Sequence, residues 1–190
     1  MHIVRVEVTP KLVEGMIDVR GDLVKRRLSV DSGINVEEVR SIVGFLINSN
    51  VSSEEIASRA DDLFADPIIE HSLTDHTFLN SKELFEIIPD AVVSVGFKPG
   101  VTDNPGKAAL DGFRTIFPEA DINSDISTYI SYAFYGINNQ TTPEFLASTL
   151  YNSLIERAVI ADSNMCQAGD WPMIEYPEKP PQAFKEPSHI

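Results

Sequence analysis

Disulfides and metal clusters have almost nothing to build on in this chain. Its 190 residues include one cysteine, Cys166, so no intramolecular disulfide can form, and a lone thiol suits a reducing compartment. The four histidines, His2, His71, His76 and His189, are too scattered to read as a metal-ligand set. Basic residues are scarce as well: 15 Lys and Arg against 29 Asp and Glu leave a formal charge of −14. Such a surface repels phosphate backbones, which argues against a nucleic-acid partner. Lys25-Arg26-Arg27, the one basic cluster, reads as a solvated helix face. No apolar run approaches the roughly 18–20 residues of a membrane span, so no membrane partner is expected. The opening MHIVRVEVTP lacks a basic stretch followed by a long apolar one. No signal peptide is therefore expected, and the predicted location is cytoplasmic.

Catalytic patterns are missing too. Neither G-x-x-x-x-G-K-[ST] nor G-x-G-x-x-G occurs, and Gly100 and Gly106 stand six apart without a Ser or Thr after Lys107. Lys107 beside Gly106 leaves a weak anion site at a helix N-terminus as one reading, with turn and cap chemistry as the other. Cys166 has no histidine near it to act as base. The carboxylates Glu54, Glu55, Asp61, Asp62 and Asp66 sit where helices need caps and solubility. No catalytic residue, cofactor or metal ligand is nominated, and the chain is not expected to be an enzyme by itself.

What is present is a unit centred on Val93–Ala109, VSVGFKPGVTDNPGKAA. Val93, Val95 and Phe97 alternate as a half-buried strand does, and Pro99-Gly100 stops it. Asn104 offers an N-cap oxygen, Pro105 suits the first helical position, and Ala109, Phe113, Ile116 and Phe117 share one helical face. A similar order opens the chain, with Val4, Val6 and Val8 ended by Pro10-Lys11, 89 residues earlier. Strands are predicted at Val39–Ile47, Ile68–Leu73, Thr128–Tyr135 and Ala158–Ala161. A first helix turns Val24 and Leu28 inward. A second, capped by the Ser52/Glu55 box, buries Ile56, Ala60, Leu63 and Phe64. Another box, Thr141 with Glu144, stands 89 residues after the first and opens a helix striped by Leu146, Leu150 and Leu154.

The predicted fold class is therefore α+β: two tandem β-α-β-α-β repeats forming a pseudo-dimeric sheet, antiparallel or mixed, with helices packed on one face. Residues 1–75 and 91–162 are the repeats. A linker at 76–90 holds a short helix at Ser81–Glu86, and 163–190 is an extended, proline-rich tail. Trp171, Tyr176 and Phe184 would anchor that tail, on its own domain or on a partner.

These residues resemble the PurS-type small subunit of phosphoribosylformylglycinamidine synthase, in a tandem form. Lys98-Pro99-Gly100-Val101-Thr102-Asp103-Asn104-Pro105-Gly106 matches the family's K-P-G-V-x-D-P-x-G-like turn, and Val39-Arg40 matches its second strand. Ala65-Asp66-Pro67-Ile68-Ile69 matches the N-P-[VI]-I segment before the last strand, whose place in the second copy is read as Ile155-Glu156-Arg157. In the first copy, Asp18 and Gly21 correspond to the end of the turn motif. The resemblance implies a non-catalytic assembly subunit or domain in de novo purine biosynthesis. It would bridge the synthetase and glutaminase subunits of a glutamine-hydrolysing, ATP-dependent ligase complex while ammonia passes between them. By that analogy the partner interface falls on Pro10, Lys11, Lys98, Pro99, Gly100, Thr102, Asp103 and Trp171, and self-association is left open. The alternative is a stand-alone regulatory domain that binds a small molecule between the copies, near Lys98–Gly106.

Overall fold

Alternating apolar residues become strands where both side-chain rows find cover, and here both do. The computed structural model describes residues 1–13, 16–81, 86–138 and 141–178. In chain order the first half holds β1 (His2–Pro10), α1 (Val19–Ser32), β2 (Glu38–Ser49), α2 (Ser53–Phe64) and β3 (Glu70–Thr74). After a 3-10 turn at Phe78–Asn80 the second half holds β4 (Ala91–Phe97), α3 (Asn104–Ile116), β5 (Asp125–Tyr135), α4 (Pro143–Leu150) and β6 (Glu156–Ala161), and α5 (Ser163–Ala168) follows. The strands form one antiparallel sheet in the order β3-β1-β2-β5-β4-β6. β2 and β5 join the halves at its centre, in register from Glu38–Tyr135 to Asn48–Asp125, with Val43 opposite Ile130 midway.

The helices α1–α4 cover one face. Val4, Val6, Ile47 and Ile126 of the sheet meet Ile56 and Ala60 of α2 and Leu110, Phe113 and Phe117 of α3. Alongside, Val39, Val93 and Phe134 meet Val24 and Leu28 of α1 and Leu146 and Ala147 of α4. Phe113 and Phe134 are fully buried, and each contributes about 1.5–3 kcal/mol through removal from water. Leu63, Phe64, Val95 and Phe97 are only half-buried, because they lie at the margin of this layer.

The opposite face is covered differently. The chain expected to trail away from Ser163 instead forms α5, capped by Asp162 and ended by Gly169 in the left-handed region. Cys166 and Met165 of α5 then pack with Phe78, Leu79, Ile42, Ala133 and Trp171. Beyond it Ile174 is buried against Leu46 and Tyr129, so the tail's aromatics anchor on the chain itself. Phe184 lies outside the described residues, and so do residues 82–85 of the expected Ser81–Glu86 helix.

Three local expectations are corrected. The N-cap of α3 is Asp103, not Asn104, because the Asp103 carboxylate is also held by β5. The N-cap of α4 is Thr142, without a Thr141/Glu144 box, and α4 ends at Leu150, leaving Leu154 82% exposed. β3 begins at Glu70, since Asp66-Pro67 makes a turn that leaves Ile68 outside the strand.

Candidate functional site

Apart from Trp171, the residues expected to meet partners lie at the end of β1 and in the turns that follow β1 and β4, and the same bonds recur in both. Lys11 donates its backbone N–H to the Ile69 carbonyl at 2.8 Å and its ammonium to the Pro67 carbonyl. Lys98 donates its N–H to the Ile155 carbonyl at 2.9 Å and its ammonium to the Ser153 carbonyl. Those carbonyls belong to matching turns. Asp66 accepts from Ile68 N at 2.9 Å, and its own N–H reaches Glu70; Asn152 accepts from Leu154 N at 3.0 Å, and its N–H reaches Glu156. The counterpart of Asp66-Pro67-Ile68-Ile69-Glu70 is thus Asn152-Ser153-Leu154-Ile155-Glu156, which corrects the placement at Ile155-Glu156-Arg157.

Each turn then enters a helix through an aspartate and a glycine. Asp18 caps α1 by accepting from Gly21 N at 2.8 Å, and it also takes the N–H and hydroxyl of Ser41 on β2. Asp103 caps α3 by accepting from Gly106 N at 2.7 Å, and it takes the N–H and hydroxyl of Thr128 on β5. Glycine is required three residues on because helix and strand touch there. A Cβ on Gly21 would stand 1.9 Å from the Val39 carbonyl oxygen, and one on Gly106 would stand 2.4 Å from that of Ile126. Cap chemistry therefore occupies the place considered for an anion beside Lys107: a carboxylate already fills that helix start.

A cleft opens beside each turn. One of about 480 Å³ is lined by Leu12, Val13, Met16, Ile17, Lys25 and Glu37. The other, about 370 Å³, is lined by Lys98, Val101, Thr102, Lys107, Ser127 and, from the tail, Pro177. Pro10, Lys11, Lys98, Pro99, Gly100, Thr102 and Asp103 thus divide between opposite ends of the sheet. Trp171 joins neither group: its indole N–H donates to Asn80 at 2.7 Å, beneath the other face.

Sequence reading missed a polar network on that second face. Glu7 of β1, Gly44 of β2 and Tyr129 of β5 lie in one row across the sheet. Gly44 leaves the space that the Tyr129 ring fills; a Cβ there would stand 2.0 Å from ring carbons. The Tyr129 hydroxyl donates to Glu7 Oε1 at 2.7 Å, and Phe78 N donates to Oε2 at 2.9 Å. Arg5 donates to the Tyr129 hydroxyl oxygen at 2.7 Å and to the Ile174 carbonyl at 3.0 Å. Burial raises the Glu7 carboxyl above its ordinary range, against the opposing pull of these bonds and of Arg5. Burial, with the Glu7 charge added, also raises the Tyr129 phenol, so it remains a donor. The Cys166 thiol is pushed up to about 11, chiefly by burial, and stays protonated at neutral pH. Glu7 stands at an odd position in a strand whose valines, Val4, Val6 and Val8, hold even ones, a pattern that ordinarily marks the wet side of a sheet. Its burial depends on Phe78 and on Gly44, opposite it on the neighbouring strand, which makes room for the Tyr129 ring.

In comparisons with known proteins the chain matches no family model and no curated relative.

Proposed function

We propose that the chain is a non-catalytic assembly unit of a glutamine-dependent phosphoribosylformylglycinamidine synthase, a covalent form of two small PurS-like subunits. The observation that carries this reading is the recurrence of one polar framework about the β2–β5 seam: Lys11 and Lys98, Asp18 and Asp103, Asp66 and Asn152 make the same bonds. The strand order β3-β1-β2-β5-β4-β6 also reads alike from either edge. Both features are what two identical subunits related by a twofold axis would produce, here linked in one chain. Linking them removes the association entropy of separate protomers. The acidic groups that chemistry could have used are committed elsewhere: Asp18 and Asp103 to caps, Glu7 to Tyr129 and Phe78. In this reading the chain sits between a synthetase and a glutaminase subunit in the cytoplasm, and its turns make the contacts.

Co-purification at low salt from the source cell tests this. Recovery of both a synthetase and a glutaminase subunit supports the role, and recovery of the chain alone argues against it. A second reading, a small-molecule-binding regulatory domain, is favoured by the two clefts, whose volumes fall in the range of about 300–1,000 Å³ typical of ligand pockets. Saturable binding of a metabolite by the isolated chain would support that reading.

A further inference from the structure

The two edges of the sheet are built from corresponding segments but guarded differently. Among the described residues no strand pairs beyond β3 or β6. Ladder geometry settles which backbone groups are free. The Ile155 carbonyl accepts from Lys98, so by antiparallel alternation Arg157, Val159 and Ala161 bond inward to β4. Ala158 and Ile160 then turn their N–H and C=O groups outward, as Glu156 does its C=O, its N–H being taken by the Asn152 carbonyl at 2.8 Å. On β3 the bonds Lys11 N to Ile69 O and Asp75 N to Arg5 O likewise leave Ser72, Thr74 and the Glu70 carbonyl facing outward, the Glu70 N–H being taken by Asp66.

β3 carries the features that keep an edge unpaired. It reads Glu-His-Ser-Leu-Thr, Ser72 holds the Asp61 carboxylate beside it, and Asp75 ends it at a φ of 57°. Two copies meeting there about Ser72 would bring the Asp61 carboxylate, held beside that residue, against its equivalent. β6 reads Glu-Arg-Ala-Val-Ile-Ala and runs in unbroken register with β4. It has no proline, no lysine and no bulge. The Glu156 carboxylate is already engaged by Asn152 N at 2.7 Å, and the Arg157 guanidinium by the Glu175 carbonyl. Leu154, just before the strand, is 82% exposed, and Phe145 on the adjoining α4 is 50% exposed.

We propose that β6 is a self-association edge, on which a second copy of this chain pairs antiparallel through its own β6. In the register centred on Ala158, that residue faces itself, Glu156 faces Ile160 and Arg157 faces Val159. The Ala158 N–H and C=O then pair with those of the second Ala158, and the Ile160 N–H donates to the Glu156 carbonyl, while the Glu156 N–H keeps its bond to Asn152; no like charges are directly opposed. The product is one sheet running through both copies, with the guarded β3 edges outermost.

Light scattering on size-fractionated protein, from micromolar to near-millimolar concentration, should give twice the 21.0 kDa of one chain as concentration rises. Ala158→Pro deletes only an outward donor at an edge position that tolerates proline, and it should leave a folded monomer. Ser72→Pro on the other edge should still dimerise. Hydrogen exchange provides a readout free of substitution: protection of the Ala158 and Ile160 amides should increase with concentration, while that of Ser72 should not. A wild-type chain that stays monomeric with those amides exchanging freely overturns the proposal. So does a dimer that survives Ala158→Pro, because it must form elsewhere.

Discussion

The two halves anchor their turns with the same bonds, yet they close their helical layers differently. Over one end of the seam α2 and α3 touch: a Cβ on Gly112 of α3 would stand 2.9 Å from Leu63 Cδ1 of α2. Over the other end α1 and α4 leave a groove of about 260 Å³, flanked by Arg27 and Asp31 on one side and Ser148 and Thr149 on the other. A glycine lets the first pair approach, whereas charged and hydroxyl side chains keep the second pair's rims apart. The caps differ too. α2 has a complete capping box, while the third residue of α4 is the exposed Phe145 where α2 has Glu55. What stays constant joins side chains to backbone in the turns and determines where α1 and α3 start. What varies is side chain against side chain, where a fold tolerates change and where individual surfaces arise.

The largest expected effect comes from breaking the shared anchor at its tightest point. Gly21→Ala drives a methyl group into the Val39 carbonyl oxygen, and Gly106→Ala into that of Ile126. Neither obstacle is a flexible side-chain end, so helix and strand must separate. Each substitution should destabilise by about 3 kcal/mol, at or above the usual range for overpacking, with Gly21→Ala the worse because its approach is closer. Urea unfolding midpoints check this, and equal midpoints for the two variants would contradict the ranking.

Next come the aspartates. Asp18→Ala removes a cap and leaves the N–H of Ser41 without its acceptor in a buried setting; Asp103→Ala does the same to Thr128 in a half-buried one. Losses of about 2–3 kcal/mol for Asp18 and about 1–2 kcal/mol for Asp103 are expected from the same unfolding curves.

Glu7 belongs to the face where the two halves differ most, since β4 carries Gly96 in the same row. Its carboxyl is raised in the fold, so the native state holds that proton more tightly than the unfolded chain does. Its favourable contribution is full below the ordinary value of 4.5 and is lost as pH rises through the folded value. Glu7→Gln cannot ionise. Its stability relative to wild type should therefore improve as pH is raised across that window, and a difference that does not change with pH would show that the carboxylate is not burdened by burial.

The strands were legible because valines alternate at β1 and β4, and the Ser52/Glu55 box was legible because its parts lie three residues apart. Contacts distant in sequence were not. Asn104 and Asp103 are equally good caps by local rules; Thr128, on β5, decides between them. The Asn152–Glu156 turn was hidden because it shares only Ile155 and Glu156 with Ile69 and Glu70, while Leu154 continues a helical spacing from Leu146 and Leu150. The tail lacks a period of its own because the sheet shapes it: Ile174 is seated by Leu46, Tyr129 and the open backbone at Gly96.

The smallest effect sharpens the comparison most. Lys11 and Lys98 are half-exposed, and each makes one ammonium bond to a turn carbonyl that water could satisfy in its place. Lys11→Met and Lys98→Met keep the aliphatic stem and remove only that bond, so each should lower stability by less than about 1 kcal/mol. Because the bonds correspond, the two losses should agree closely, and the double variant should show their sum, the sites lying at opposite ends of the sheet. Thermal midpoints of the two single variants and the double decide this. A marked inequality would mean that one lysine has taken on a role its counterpart lacks. Lys98, beside the cleft that Pro177 helps to line, is where that excess would be sought first.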